Sequence, residues 1–172
     1  MVAIDGKSVR GSRDGKKHLL HIVSAWASEH GMLLGRIRTA EKSNQITAIP
    51  ELLKLLSIAD CIVTLDAMGC QKSIAKDIIA SGADYLLSLK TNHSHLCLGV
   101  AAWFEKGLSS EGFGRHSHSH YLEPAQSGHG RTEPREHWLT TVPQHLKRAS
   151  QAWAGLQNFD DGTKAALGGR QD

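Results

Sequence analysis

The sequence predicts an α/β domain built around a mixed sheet, on three observations. Three short aliphatic stretches joined by glycine-containing turns come first, up to Thr39. Apolar strands then alternate with amphipathic helices as far as Leu108. The 172 residues, 40% hydrophobic and 22% charged, suffice for one globular domain with a sizeable core. We therefore expect three antiparallel strands followed by strand–helix alternation, with helices flanking the sheet.

The opening strands follow from two-residue alternation and turn chemistry. Val2 and Ile4 would face one side of a first strand and Ala3 and Asp5 the other, so that Asp5 lies near its end. Turns rich in glycine and polar residues separate this strand from two more, and adjacent strands joined by short turns pair antiparallel. The predicted ranges of the three strands are 1–9, 18–27 and 32–39.

Helices and strands alternate in the next part of the chain. Apolar residues recur at helical spacing after Ser43 and Asn44, and a β-branched run then stops at Asp66. The resulting order is β-β-β-α-β-α-β-α, which is the order of RNase H-like folds. Beyond the opening strands, the predicted helices are 46–56, 71–80 and 95–108, and the predicted strands are 61–65 and 85–89.

The C-terminal third has a different composition. We assign 1–108 to a partial RNase H-like core and 109–157, rich in Gly, Ser and His, to a loop-rich insertion with one candidate strand at 137–142. The segment 158–172 is polar and glycine-rich, which is typical of a disordered tail. On this prediction the fold is incomplete at its C-terminal end.

Charge, cysteines and hydropathy argue against several classes of protein, among them disulfide-rich, membrane-spanning and exported proteins. The balance of 20 Lys and Arg against 17 Asp and Glu permits a phosphate-rich partner without requiring one. The three cysteines form no C-x-x-C pair, which argues against a disulfide framework or a Cys-type zinc site. No apolar run reaches the roughly 20 residues of a membrane span, and no export signal opens the chain. We expect a cytoplasmic protein without a membrane partner.

Two aspartates are the leading candidates for chemistry. Asp5 and Asp66 fall at or near the ends of strands that lie side by side in the predicted topology. Mg²⁺ prefers carboxylate oxygens, and two ions about 4 Å apart can clamp the attacking and leaving oxygens of a phosphodiester displacement. The alternative is that both residues are turn formers, since Asp is common where a strand ends.

Four motifs in order carry a resemblance to a known family. They are Ile4-Asp5-Gly6-Lys7, the run RTAEKSN at 38–44, the block LDAMGCQ at 65–71, and HGRTE at 129–133. Over roughly Met1 to Leu156 the chain resembles the DDE transposases of the H-repeat-associated insertion sequences. The LDAMGCQ and RTAEKSN blocks are far more discriminating than a single strand-end aspartate.

This resemblance implies an activity and a cofactor. Asp5 and Asp66 match the first two acids of the family's triad and would hold Mg²⁺, with Mn²⁺ as a substitute. The implied reaction is cleavage of double-stranded DNA at a transposon end by activated water, followed by attack of the freed 3′-hydroxyl on target DNA. Implied protein partners are a second copy of the chain or a full-length transposase.

The third acid of the triad is the point of departure from the family. The resemblance places it on a downstream helix, in a segment reading like His-Trp-x-Ile-Glu-Asn, and this sequence contains no such segment. We therefore expect a truncated, inactive transposase whose residues after Gln157 derive from a frameshift. Glu133 is the substitute to consider, although a salt-bridged or solvent-facing Glu beside Arg131 and Arg135 is the better explanation of it.

Basic residues near the two acids are candidate phosphate contacts. Lys7, Arg10 and Arg13 belong to the first strand and turn, and Lys90 follows a later strand. Such contacts position DNA without reading its sequence. The alternatives are a solvated basic hairpin and, for Lys90, pairing with a surface acid.

Two other groups of residues lead to weaker hypotheses. His116, His118 and His120 would share one face of a strand and could bind zinc, though a solvated His-rich loop explains the run as well. Cys70 lies near a helix N-terminus, where thiol pKa falls, yet packing suffices to explain it. Besides the transposase remnant, the open hypotheses are a catalytically silent DNA-binding or interaction protein and an unrelated His-rich metal-dependent hydrolase.

Overall fold

A computed structural model describes residues 1–9, 20–39, 45–109, 118–128, 131–161 and 165–168. For 118–128, 131–136 and 165–168 it describes the backbone alone. The nine strands of the described residues are β1 Val2–Ser8, β2 His21–Ala27, β3 Met32–Thr39, β4 Ile62–Leu65, β5 Asp84–Ser88, β6 His118–Gly128, β7 Arg131–Thr141, β8 Leu156–Asp160 and β9 Ala165–Gly168. The four α-helices are α1 Gln45–Lys54, α2 Lys72–Ala80, α3 Ser94–Leu108 and α4 Lys147–Ser150, with short 3-10 turns at Thr91–His93 and Gln144–Leu146.

All nine strands form one mixed sheet in the order β3-β2-β1-β4-β5-β9-β8-β7-β6. The first three strands pair antiparallel as a meander, whereas β1 with β4 and β4 with β5 pair parallel. Each parallel connection contains a helix, as parallel strands require. The C-terminal strands β6 to β9 pair antiparallel with their neighbours, and β9 closes against β5.

Alternating burial divides the sheet into a core face and an open face. Val2, Ile4, Val63 and Leu65 are buried, while Asp5 and Asp66 are exposed. The buried residues of α1, α2 and α3 belong to the same core cluster as these strand residues. The described helices therefore cover one face of the sheet, rather than flanking it on both sides. The two acids lie on the other face.

The predicted order of elements up to Leu108 is the observed order, and the mixed sheet is confirmed. The C-terminal third differs from the prediction, because β6 and β7 run through the expected loop-rich insertion, β8 crosses from it into the expected tail, and β9 lies in that tail. These strands have polar, weakly periodic sequences; they pair with one another in chain order, and β9 joins them to the rest of the sheet through β5. None of the described helices is long and apolar enough to span a membrane.

Candidate metal site on two adjacent parallel strands

β1 and β4 bring the two aspartates into one cavity. Asp66 directly follows β4, but Asp5 lies in the middle of β1, which stays paired with β2 as far as Ser8, so the predicted strand-end position of Asp5 is wrong. The parallel register pairs Ile4 with Leu65, so Asp5 and Asp66 are the next residues on strands about 4.8 Å apart. Both side chains point away from the core, because the paired residues before them are buried. Together they line an open cavity of about 320 Å³ with Ile4, Thr64, Leu65, Leu86 and Ser88.

Asp66 is held in place by the turn that follows β4. Its Oδ1 accepts hydrogen bonds from the backbone amides of Met68, at 3.1 Å, and Gly69, at 3.3 Å. This is an Asx-type turn, in which a short carboxylate satisfies amides two and three residues on. The turn fixes one carboxylate oxygen of Asp66, a residue that also lines the cavity.

A second layer of polar residues holds the same turn from the next strand connection. The Nδ2 of Asn92 donates to the carbonyl of Ala67 at 2.9 Å, and the Nε2 of His93 lies 2.7 Å from the carbonyl of Cys70. Neither Asn92 nor His93 was among the predicted site residues. Their position after a strand that ends at the same sheet edge was the only signal in the sequence, and it is a weak signal.

Asp5 has a cation and a close-packed backbone beside it. The Nζ of Lys7 lies 3.5 Å from Oδ2 of Asp5, and the two side chains are 82% and 56% exposed. At this exposure the ion pair contributes little to stability. The next residue, Gly6, packs under the buried amide of Gln45 at the start of α1, where an added Cβ would lie 2.6 Å from three side-chain atoms.

The other predicted phosphate contacts divide into two groups. Lys90 is exposed and follows β5 in register with Leu86 and Ser88, which line the cavity, so it belongs to the open face. Lys7 is on the same face two residues beyond Asp5. Arg10 and Arg13 lie outside the described residues.

Glu133 and two of the three histidines lie elsewhere in the sheet. Glu133 is on β7, where its backbone pairs with Gln126, and the strands β5, β9 and β8 separate β7 from β4. Four strand spacings amount to roughly 19 Å, beyond the reach of a shared ion across an open sheet. His118 and His120 are on β6 at the far edge, and His116 lies outside the described residues.

Cys70 is fully buried at the end of the turn that begins with Asp66. Burial raises the pKa of this thiol to about 12, with a smaller contribution from Cys97. A thiol that stays protonated at neutral pH is a poor nucleophile. The packing interpretation of Cys70 fits this environment, and the reactive one does not.

The arrangement supplies two carboxylates, exposed and side by side, with one of them pre-oriented by backbone amides. Such oxygen donors suit a hard divalent cation that retains part of its water shell. Within the described part of the chain, no group of three or more His, Cys, Asp or Glu side chains converges as a complete metal cage. Fold and site together define a mixed-sheet α/β protein with an acidic pair on two adjacent parallel strands.

Comparison with known proteins identifies the family. Residues 1–148 match the family model of the transposase DDE domain. The chain therefore belongs to the transposase DDE-domain family, and the predicted resemblance is confirmed.

Three relatives show the extent of the similarity. The H repeat-associated putative transposase YhhI of Escherichia coli K12 is 40% identical over 161 residues, covering 92% of this chain and 41% of the relative. The putative transposase YncI of the same strain is 43% identical over 148 residues, covering 85% and 58%. An uncharacterized protein from the dhlA 3′ region of Xanthobacter autotrophicus is 36% identical over 159 residues, covering 92% and 52%. The chain thus spans about half the length of these relatives or less.

One solved structure is also similar. The cryo-EM structure of the piggyBac transposase synaptic complex with hairpin DNA aligns with 96% of this chain and 32% of that chain, at 11% identity and a TM-score of 0.43. That similarity is too low to bear on the assignment.

Proposed function

We propose that this chain contributes the first two acids of a transposase active site, within an RNase H-like core, and acts on double-stranded DNA at transposon ends. The observation that supports the proposal is the adjacent placement of Asp5 and Asp66 on the open sheet face, lining one cavity. Membership of the transposase DDE-domain family gives that acidic pair its chemical context.

In this proposal the two carboxylates would hold Mg²⁺, or Mn²⁺ in its place, which polarises the scissile phosphate and lowers the pKa of bound water. Asp66 presents an oriented oxygen because its Oδ1 is anchored in the turn. Asp5 supplies the second oxygen ligand, and Lys7 balances its charge. Lys7 and Lys90 on the same face would contact DNA phosphates, as would Arg10 and Arg13.

A cleavage assay tests the proposal. The chain is incubated with duplex DNA carrying the element's end sequence, in Mg²⁺ or Mn²⁺, and nicks are resolved on a denaturing gel. If the two acids suffice for nicking, it should depend on metal and fall at least about a hundredfold in Asp5→Ala and in Asp66→Ala, since each removes a proposed metal ligand. The inactivity expected from the missing third acid would instead appear as no nicking by the native chain. Glu51→Ala, an exposed acid on α1, is the matched control and should leave nicking unchanged. Nicking that persists in both aspartate variants would refute the assignment.

A second candidate function is DNA binding or assembly without cleavage, and one observation favours it. The described residues bring two acids to the cavity and no third one. The chain would then bind DNA, or assemble with a second copy or a full-length transposase, without cutting. Retained binding of the same duplex with no nicking in either metal is the outcome that would favour this function.

A further inference from the structure

A second pocket lies on the other side of the turn that holds Asp66. It encloses about 370 Å³ and shares no lining residue with the cavity of the two aspartates. Its walls come from the start of α2, the start of α3, and α4 with the residues after it. The side chains that matter for its chemistry are Lys72, Asn92, His93, His95, Arg148 and Trp153.

The charge of this pocket is positive. Lys72 and Arg148 are both exposed, and His95 adds a third group that can carry positive charge. None of the described residues that line the pocket is acidic, and no ion pair to a described residue neutralises Lys72 or Arg148. Two unneutralised cations from separate helices facing one cavity are the kind of arrangement that binds an anion.

The ends of two helices add to that charge. Lys72 is the first residue of α2, and Ser94 and His95 are the first residues of α3. In the described structure neither helix start has a side-chain cap. The backbone amides and the positive end of the helix dipole at these positions favour an anion in the same place as the two cations.

The pocket is connected to the aspartate site through two shared residues. Asn92 and His93 line the pocket and also contact the carbonyls of Ala67 and Cys70 in the turn after Asp66. The ring of His93 is further held edge-on against Trp153, with centroids 4.9 Å apart. An anion in the pocket would therefore lie directly behind the turn that orients Asp66.

We propose that this pocket binds a backbone phosphate of the DNA strand that enters the aspartate site. The inference deepens the proposed function and rests on it for the identity of the ligand. A phosphate fits the lining better than a base does, because Trp153 is only 3% exposed and already contacts His93, which leaves no free ring face for stacking. The phosphate would position the strand without reading its sequence.

Equilibrium DNA binding in EDTA tests this proposal without involving metal at the aspartates. Fluorescence anisotropy of a labelled duplex is measured for the full chain and for the double variant Lys72→Gln/Arg148→Gln over a range of salt. The matched control is Lys76→Gln/Lys147→Gln, which removes two exposed lysines from the same helices but outside the pocket. Circular dichroism and thermal melting verify that each variant is folded.

We expect the pocket variant to bind about tenfold more weakly, as for loss of a charge-assisted hydrogen-bonded contact. Its plot of log K against log salt should be shallower by about 0.9, the slope of one phosphate contact. The control should change affinity less than about threefold, and the charge-conserving Lys72→Arg/Arg148→Lys variant should restore most of the binding. Equal losses in the pocket and control variants, or none in either, would overturn the proposal.

Two further arms separate this proposal from its rivals. In the first, binding of inorganic phosphate is measured by calorimetry. The phosphate-pocket proposal would be overturned if Lys72→Gln abolished phosphate binding and left duplex binding intact. Asp66→Ala should bind DNA normally in EDTA, because metal at the aspartates is not involved. If the native chain binds DNA through the pocket but does not cleave it, the proposed enzyme is refuted and the phosphate pocket stands. The converse result, metal-dependent cleavage with binding indifferent to Lys72 and Arg148, would refute the pocket alone.

Discussion

Asp66 has a structural role in its turn as well as its proposed role as a metal ligand. Its Oδ1 satisfies two backbone amides of the turn, and the described residues give its Oδ2 no partner. A ligand whose rotamer is already fixed loses less conformational entropy when it binds, which is the general advantage of preorganisation. Asp5 lacks such an anchor and relies on its exposed ion pair with Lys7. The two proposed ligands are therefore unequal, and Asp66 is the one whose side chain is held in place.

Cys70 gives a prediction about pH at the residue scale. Its pKa is raised from an ordinary value near 9.0 to about 12, so the folded chain keeps a proton that the unfolded chain loses. The resulting loss of stability begins as pH rises above about 9, at up to about 1.4 kcal/mol per pH unit, and is absent at pH 7. Burial also raises the pKa of Tyr85, which adds to the alkaline loss.

Urea unfolding between pH 7 and pH 11 measures this effect. We expect the free energy of unfolding to fall more steeply with pH in the native sequence than in Cys70→Ala, while the two curves run parallel below pH 8. Because Tyr85 is present in both proteins, the difference between the slopes reports the thiol. Curves that stay parallel to pH 11 would show that Cys70 is not desolvated in the folded chain.

At the scale of elements, the turn between β4 and α2 depends on a glycine. Gly69 is buried and donates its amide to Asp66, and an added Cβ would lie 2.9 Å from Cδ2 and 3.1 Å from Cβ of Leu65. Leu65 is a core residue whose Cβ cannot move without its strand. Overpacking of this kind costs typically 1–3 kcal/mol, about the loss we expect for Gly69→Ala.

Gly99 supplies the comparison for Gly69. A Cβ at Gly99 in α3 would lie 2.6 Å from Cδ2 of Leu146, the end of a side chain that can rotate away. Ala also raises helix propensity by up to about 1 kcal/mol over Gly. Thermal melting of both variants should therefore show Gly69→Ala as clearly the less stable one. The opposite order would mean that the turn is not packed against Leu65.

The strand β8 tests the corrected assignment of the C-terminal segment. Phe159 is completely buried and belongs to the main core cluster, although it falls in the segment expected to be disordered. Phe159→Ala should cost about 3–5 kcal/mol, the usual range for truncating a buried Phe. Gln157→Ala on the same strand, where the side chain is exposed, should stay within about 0.5 kcal/mol. If urea unfolding gave equal, small losses of unfolding free energy for the two variants, the segment would be disordered as first expected.

At the scale of the whole molecule, the sequence predicted the part of the sheet whose strands have a clear local pattern, β1 to β5, and not the C-terminal strands. Residues 1–108 alternate with the period of strands or helices, and most of their strands pair with neighbours that lie close in the chain or one helix away. The exception is β1 with β4, which have β2, β3 and α1 between them. The strand β9 instead pairs with β5, far back along the chain. Its short sequence, AALG, carries no alternation that could reveal such pairing.

The candidate site was predictable to a similar degree. The end of β4 at Leu65 is visible in the sequence, and the predicted pairing of β1 with β4 was enough to expect Asp5 beside Asp66, although Asp5 lies within β1 and not at its end. Asn92 and His93 were not predictable, because polar residues after a strand are common and only the folded turn shows which carbonyls they contact. The open face of the sheet was also missed, since a helix pattern does not say which face it covers.

The most direct test of the acidic pair is Mn²⁺-induced broadening of assigned amide NMR signals. We expect titration of the native chain to broaden the amides around Asp5 and Asp66 first, and expect Asp66→Asn to lose that broadening while Glu51→Gln, on the helix-covered side, keeps it. Absence of broadening there, or broadening that persists in Asp66→Asn, would contradict a metal site at Asp5 and Asp66. Broadening centred instead on His118 and His120 would transfer the metal site to β6 and favour the histidine-based hydrolase.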